Sequence, residues 1–245
     1  MDKLIYTAMT GAKGTMAQQA AVANNIANVS TTGFRAELHR LRAVPVQTEA
    51  LASRAFVVDS TVAADFTPGP LQQTGRSLDV GVTGSGWLAV TMPDGSEAYT
   101  RSGSFSLDEN GVLRTKAGFE VMGDGGPITL PPDNRIDVGA DGTLTAQPLG
   151  GEVGANVVGR LKLVNPPEAD LVRGADGFFR LADGGAAPAD ENVRVAGGYL
   201  EGSNVNLAEE MVTMISLARS YDTQMRLLSN AQENDRAATQ VLAAR

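Results

Sequence analysis

Near the start of the chain, apolar residues recur at alternating steps of three and four. Ile5, Met9, Ala12, Met16, Gln19, Ala23 and Ile26 share one stripe, and six of the seven are apolar. So narrow a stripe has the form of a coiled-coil seam rather than of the broader face of a globular helix. Gly11 and Gly14 each weaken the predicted helix by about 1 kcal/mol relative to alanine, yet their small size allows another helix to come close. The helix is expected to end near Asn28, before the β-branched and turn residues Val29-Ser30-Thr31-Thr32-Gly33.

The other end repeats the pattern. Leu207, Met211, Met214, Ala218, Tyr221, Met225 and Leu228 are all apolar at the same spacing. Asn206 stands where a side-chain oxygen can cap free backbone N–H groups, with Glu209 three residues on, so a helix is predicted over 206–242. Fully burying seven apolar anchors gives on the order of 10–20 kcal/mol. Ordering roughly 70 terminal residues costs about 1–2 kcal/mol each before hydrogen bonds return part of it, so a lone pair of such helices is marginal. The two ends are therefore expected to associate with further helices.

Between them the period shortens. Leu78–Val82, Trp87–Val90, Val112–Thr115, Arg160–Val164 and Gly177–Leu181 read as short strands. Asp94-Gly95, Asn110-Gly111, Asp141-Gly142, Asp176-Gly177 and Asp183-Gly184 are hairpin signals, read as the two central residues of type I′ turns. The predicted fold class is α+β: N- and C-terminal coiled-coil helices pairing into one helical domain, plus a β-rich middle domain of sandwich or barrel type. The expected divisions are 1–34 for the first helix and its motif, 35–75 for an extended connector, 76–202 for the β-rich domain, and 203–245 for the last helix.

Composition sharpens this division. All eleven prolines and 25 of the 28 glycines lie in 45–202, which carries a charge of −10; residues 1–44 carry +3 and 203–245 carry −1. A total of −8 argues against general nucleic-acid binding, which needs a cationic surface to neutralise phosphates. The absence of cysteine removes disulfides, thiolate metal sites and cysteine nucleophiles. No apolar run is long enough to span a bilayer, and the start lacks the apolar block of a secretory signal, so neither membrane insertion nor a cleavable signal peptide is expected.

Candidate chemistry is sparse. Gly84-Ser85-Gly86-Trp87-Leu88-Ala89 fits the letters of a dinucleotide fingerprint, but a strand rather than a helix is predicted to follow, so a turn is the better reading. Asp108, Asn110 and Gly111 resemble the opening of a calcium loop without its closing acidic residues, and read as a hairpin. His39 is the only histidine, in the basic stretch Arg35–Arg42, whose default reading is a solvated face. No catalytic residue, metal ligand or cofactor is assigned, and the chain is not expected to be an enzyme.

Ala23-Asn24-Asn25-Ile26-Ala27-Asn28-Val29-Ser30-Thr31-Thr32-Gly33-Phe34-Arg35 resembles the N-terminal signature of bacterial flagellar rod, hook and hook-associated axial proteins. Leu200-Glu201-Gly202-Ser203-Asn204-Val205-Asn206, leading into Glu209-Glu210-Met211-Val212, resembles the same family's C-terminal signature. Phe66–Leu71, Leu78–Val80 and Gly86–Val90 extend the likeness across most of the chain. Met1–Tyr6, Arg42–Val46 and Ala231–Arg236 are most similar to the proximal-rod branch, with the distal-rod branch the nearest competitor. On the first signature the motif residues are Asn24, Asn25, Asn28, Thr32, Gly33 and Phe34; on the second they are Glu201, Gly202, Ser203, Asn204 and Asn206.

The resemblance implies a structural subunit of the basal-body rod crossing the periplasm, exported by the flagellar type III apparatus. It also implies partners among copies of itself and other rod proteins, with torque carried through the assembled terminal helices. A distal-rod or hook-type subunit is the alternative within the family. A secreted β-rich binding module would share the middle but gives no reason for matched seams at both ends, and a hydrolase would need its carboxylates gathered in a pocket.

Overall fold

The computed structural model describes residues 2–45, 55–131, 134–148 and 156–243. They form two compact units. One gathers 1–29, 36–65 and 205–245; the other gathers 30–35 and 66–204.

The helical unit contains α1 (Asp2–Ala27), the strands β1 (Glu37–Pro45) and β2 (Ala55–Ala64), and α2 (Leu207–Ala243). Both helices match their predicted extents closely, and Asn206 caps α2 by accepting from the Ala208 N–H at 3.2 Å. α1 lies against α2 and against both strands of the hairpin. The region 35–75, expected as an extended connector, instead pairs β1 with β2 antiparallel over eight partners, from Glu37 opposite Ala64 to Pro45 opposite Ala55. Its strand register depends on partners 10–27 residues apart, which local reading of this proline-flanked stretch does not reveal. Part of the connector, 46–54, lies outside the described residues.

In the strand-rich unit the order is β3 (Leu71–Gln73), β4 (Val80–Thr83), β5 (Trp87–Thr91), β6 (Glu97–Thr100), β7 (Phe105–Leu107), β8 (Leu113–Thr115), β9 (Glu120–Gly123) and β10 (Gly126–Pro127). It continues with β11 (Asn134–Val138), β12 (Thr143–Pro148), β13 (Asn156–Arg160), β14 (Leu163–Val164), β15 (Leu171–Arg173), β16 (Phe179–Leu181), β17 (Arg194–Gly197) and β18 (Tyr199–Glu201). These strands form several antiparallel sheets. The largest runs β15-β16-β6-β5-β9-β8-β7, with β10 and β14 attached at its side; β11-β12-β13 makes a second sheet, and β17-β4 and β18-β3 are pairs.

β5 sits in the middle of the large sheet, and Trp87, Leu88, Ala89 and Val90 are all buried. An uninterrupted apolar run is what a strand covered on both faces requires. Leu88 joins Val82, Phe105, Leu113, Val121, Leu144, Leu163 and Val195 in one core. Beside it the rings of Trp87, Phe66 and Phe179 meet in a triangle, with centroids 5.9 Å apart for Phe66–Trp87 (edge-on), 4.7 Å for Trp87–Phe179 and 5.6 Å for Phe66–Phe179.

The five hairpin dipeptides all mark turns, but not of the predicted type. In each, the glycine N–H donates to the carbonyl three residues back, from Gly95 to Met92, Gly111 to Asp108, Gly142 to Gly139, Gly177 to Gly174 and Gly184 to Leu181. The glycine is thus the fourth residue of the turn, not a central one, and all five have positive φ. That is the arrangement of a longer hairpin loop closed by a left-handed glycine, in place of type I′. The preceding acidic residue explains the choice: Asp94, Asp141 and Asp176 accept from backbone N–H groups two residues on, which fastens the loop. The side-chain hydrogen bond from Ser96 holds the Asp94 carboxyl below its ordinary value, and that from Thr143 does the same for Asp141.

Candidate assembly surface and its motifs

The two predicted seams divide between an inner and an outer face of their helices. On α1, Ala12 is buried and Ile5 and Ile26 are half-buried, while Met9, Met16 and Ala23 face solvent, the methionines at 52% and 57% exposure. On α2, Met214, Ala218, Tyr221 and Leu228 are half-buried; Leu207, Met211 and Met225 are exposed. The half-buried positions along α2 are Glu210, Met214, Leu217, Ala218, Tyr221, Gln224, Leu228 and Ala231. They keep Met214, Ala218, Tyr221 and Leu228 of the predicted seam and add Glu210, Leu217 and Gln224 in place of Met211 and Met225.

Polar pairing accounts for Glu210 and Gln224. Gly11 brings α1 close enough that a Cβ there would stand 3.4 Å from Gln224 Nε2. One turn on, the Thr15 hydroxyl donates to Gln224 Oε1 at 3.4 Å. Buried Asn25 donates to Glu210 Oε1 at 2.8 Å and to the Glu37 carbonyl at 3.1 Å, and accepts from the Glu37 N–H at 2.8 Å. One motif side chain therefore ties α1 to both β1 and α2. Apolar spacing alone does not reveal an interface in which Glu210 accepts from Asn25 and Gln224 lies against Thr15, whose hydroxyl also donates to the Gly11 carbonyl at 3.0 Å.

The outer faces carry large apolar side chains among polar ones. Of the fourteen large apolar side chains exposed among the described residues, three (Tyr6, Met9, Met16) lie on α1 and six (Leu207, Met211, Val212, Ile215, Met225, Leu227) on α2. Scattered exposed apolar residues are ordinary, whereas nine of these fourteen lie on the two helices.

Both motifs pass into the strand-rich unit, where their residues meet. Asn28 closes the end of α1 by donating from its side chain to Asn24 Oδ1 at 2.8 Å. Gly33, at φ +69°, donates to the Glu201 carbonyl at 2.8 Å, and any Cβ there would collide with the backbone of Arg101 and Ser102. The Thr32 hydroxyl lies 3.0 Å from that of Ser102. Phe34 is buried under the Arg173 guanidinium, 4.6 Å from its ring centroid. From the second motif, Gly202 donates to the Pro70 carbonyl at 2.9 Å, Asn204 donates through its side chain to the Thr67 carbonyl at 3.1 Å, and Ser203 is buried.

Arg35 overturns the expectation of a solvated basic face. It is 1% exposed and pairs with Glu201 Oε1 at 2.6 Å, while Arg101 pairs with Oε2 at 2.9 Å. Burial lowers the Arg101 pKa. Both guanidiniums lie near the Trp87 ring, at 5.9 and 5.3 Å from its centroid. A residue flanked by charged neighbours looks solvated until its partner, 166 positions away, is known. Arg101, Arg173 and Gln224 carry no local signal at all.

The segments with the letters of a ligand-binding motif have structural roles. Gly84 and Gly86, both with positive φ, form the turn into strand β5, as predicted. Asp108 spends its oxygens on the Asn110 and Val112 N–H groups and on Arg114, a hairpin as expected. A groove of about 720 Å³ is lined by Asp170, Asp183, Asp190 and Glu191 among others, but Asp183 and Asp190 accept from the N–H groups of Gly185 and Asn192 within their own turns. No group of three or more metal-ligating side chains occurs among the described residues, nor does any of their helices have the length and apolarity to cross a membrane.

Three family profiles match the chain: flagella basal body rod protein over 5–35, flagellar hook protein FlgE/F/G D1 domain over 81–146, and flagellar basal body rod FlgEFG protein C-terminal over 196–241. The flagellar basal-body rod protein FlgF of Escherichia coli (strain K12) is 46% identical over 99% of both chains, and that of Salmonella typhimurium is equally similar. FlgF of Caulobacter vibrioides is 33% identical over 99% of this chain and 98% of its own. The flagellar basal-body rod protein FlgG of Buchnera aphidicola subsp. Schizaphis graminum is 29% identical over 94% of this chain and 95% of its own. The motifs that meet at Glu201, the terminal helices and the full-length likeness together place the chain in the FlgF family of flagellar basal-body rod proteins.

Proposed function

We propose that this rod subunit acts in the proximal rod and polymerises through the outer faces of α1 and α2, which pair as a coiled coil within one helical domain. Its partners are then copies of itself and other rod proteins, FlgG among them. It reaches them through the flagellar type III export apparatus without a cleavable signal peptide. Contacts that repeat head to tail without closing build a helical shaft, and a shaft of closely packed helices is stiff enough to carry torque. The strand-rich unit supplies the lateral contacts.

The observation that supports this reading is the concentration of exposed large apolar side chains on the terminal helices. On such a surface Met211 is a clean probe, because it is exposed and its replacement leaves the packing of its own unit intact. Met214, half-buried, would disturb both. Met211→Asp is expected to leave thermal unfolding of the free chain unchanged and to abolish swimming, with the subunit missing from purified basal bodies. Normal incorporation of the mutant chain would overturn the reading.

A further inference from the structure

The chain passes between its two units at 29/30, 35/36, 65/66 and 204/205. All three stretches of the strand-rich unit that border these passages (30–35, 66–70 and 199–204) converge on one carboxylate. Glu201 Oε1 accepts from Arg35 Nη2 at 2.6 Å and from the Gly69 N–H at 2.9 Å. Its other oxygen accepts from Arg101 Nη1 at 2.9 Å, and its carbonyl accepts from the Gly33 N–H at 2.8 Å. Arg101, next after β6, donates in turn to the Gly84 carbonyl, next after β4, at 2.7 Å. The stretches also touch backbone to backbone: a Cβ at Gly69 would collide with the Gly202 carbonyl, and Asn204 N–H donates to the Phe34 carbonyl at 3.4 Å.

We propose that Glu201 is the positioning residue of this subunit, a buried hub that pins every chain segment leading out of the strand-rich unit to the framework of β4 and β6. Burying ions has a net desolvation cost that apolar residues of the same size would avoid, so stability alone does not account for the cluster. Two cations share one anion here, and the excess positive charge is placed beside the Trp87 ring, whose negative face attracts it. What ions supply and apolar packing does not is fixed direction: a carboxylate with four donors to its residue accepts them along set lines. The hub holds the roots of both terminal helices and of the hairpin in one place, so that load applied at any of them enters the same two strands.

Hydrogen exchange of the purified full-length chain tests this without rod formation, so its failure and the failure of the assembly reading are separate results. In Glu201→Gln the charge that attracts both guanidiniums is lost. Amides of 30–35, 66–70 and 202–204 are then expected to exchange faster by on the order of tenfold or more, with Leu88–Val90 of β5 unchanged. Arg35→Met leaves the Arg101–Glu201 pair in place and is expected to release 30–35 alone. Unchanged exchange in Glu201→Gln, or an equal rise in β5, would overturn the proposal. Should Glu201→Gln fail to fold, Arg35→Met decides by itself: a rise confined to 30–35 supports the hub, while no rise, or one shared by all three segments, refutes it.

Discussion

The two units of this subunit treat their apolar residues in opposite ways. Leu88, Val90, Tyr99, Phe105 and Leu113 in the strand-rich unit are sealed from solvent. α1 instead buries small or polar residues, namely Ala12, Thr15, Ala21, Val22 and Asn25, while the terminal helices leave nine large apolar side chains outside. The first unit has completed its core within one chain. The second, among its described residues, keeps large apolar side chains on the outside of its helices and joins the helices partly through small residues and hydrogen bonds. On the assembly proposed above, this division lets one part of the subunit fold first and leaves the other to gain stability on association.

Three perturbations bear on that contrast. The largest effect is expected from Leu113→Ala, which should remove about 2–5 kcal/mol from the unfolding free energy of the strand-rich unit, measured by denaturant titration of the free chain. An effect below 1 kcal/mol would mean that the core is less complete than its burial implies. Next comes alkali. Burial pushes the Tyr99 hydroxyl up to about 12, against an ordinary value of 10, even though its oxygen accepts from the Ala187 N–H. The unfolded chain releases this proton first, so stability held in full below pH 10 is lost as the pH rises towards 12. That loss should appear in near-ultraviolet signals of the strand-rich unit and vanish in Tyr99→Phe. The smallest effect is expected from Met16→Gln, within about 0.5 kcal/mol for the free chain, since the side chain has little to lose before assembly. A clear destabilisation there would erase the difference between the units.

How far the sequence could be read depended on how far away each partner lay. α1 and α2 were legible because their apolar spacing, the absence of proline and the Asn206 cap are local features. The turns were legible in position but not in type, since the dipeptide names the glycine without revealing that the aspartate fastens the loop from the position before it. The β1–β2 hairpin was hidden, because no short turn signal flanks its strands. The inward face of α2 shares Met214, Tyr221 and Leu228 with the apolar stripe, but its polar members Glu210 and Gln224 are not legible from apolar spacing, because they lie opposite Asn25 and Thr15. The candidate site divides in the same way: both motifs are legible as local strings, whereas the burial of Arg35 and the part played by Arg101 depend on Glu201, far away in the chain.

By itself, then, the sequence determined the kinds of element and their order: two helices with apolar stripes enclosing a turn-rich run of strands, with signatures at each end specific enough to indicate the family. These follow from backbone preferences and short spacings, which neighbouring residues impose on one another. Only the tertiary structure decided which side of each helix turns outward, and that Glu201 gathers Gly33, Arg35, Gly69 and Arg101. Such choices depend on burial and on the pairing of charges far apart in the chain, and a charged side chain has no settled place until the partner that makes its burial tolerable has been brought beside it.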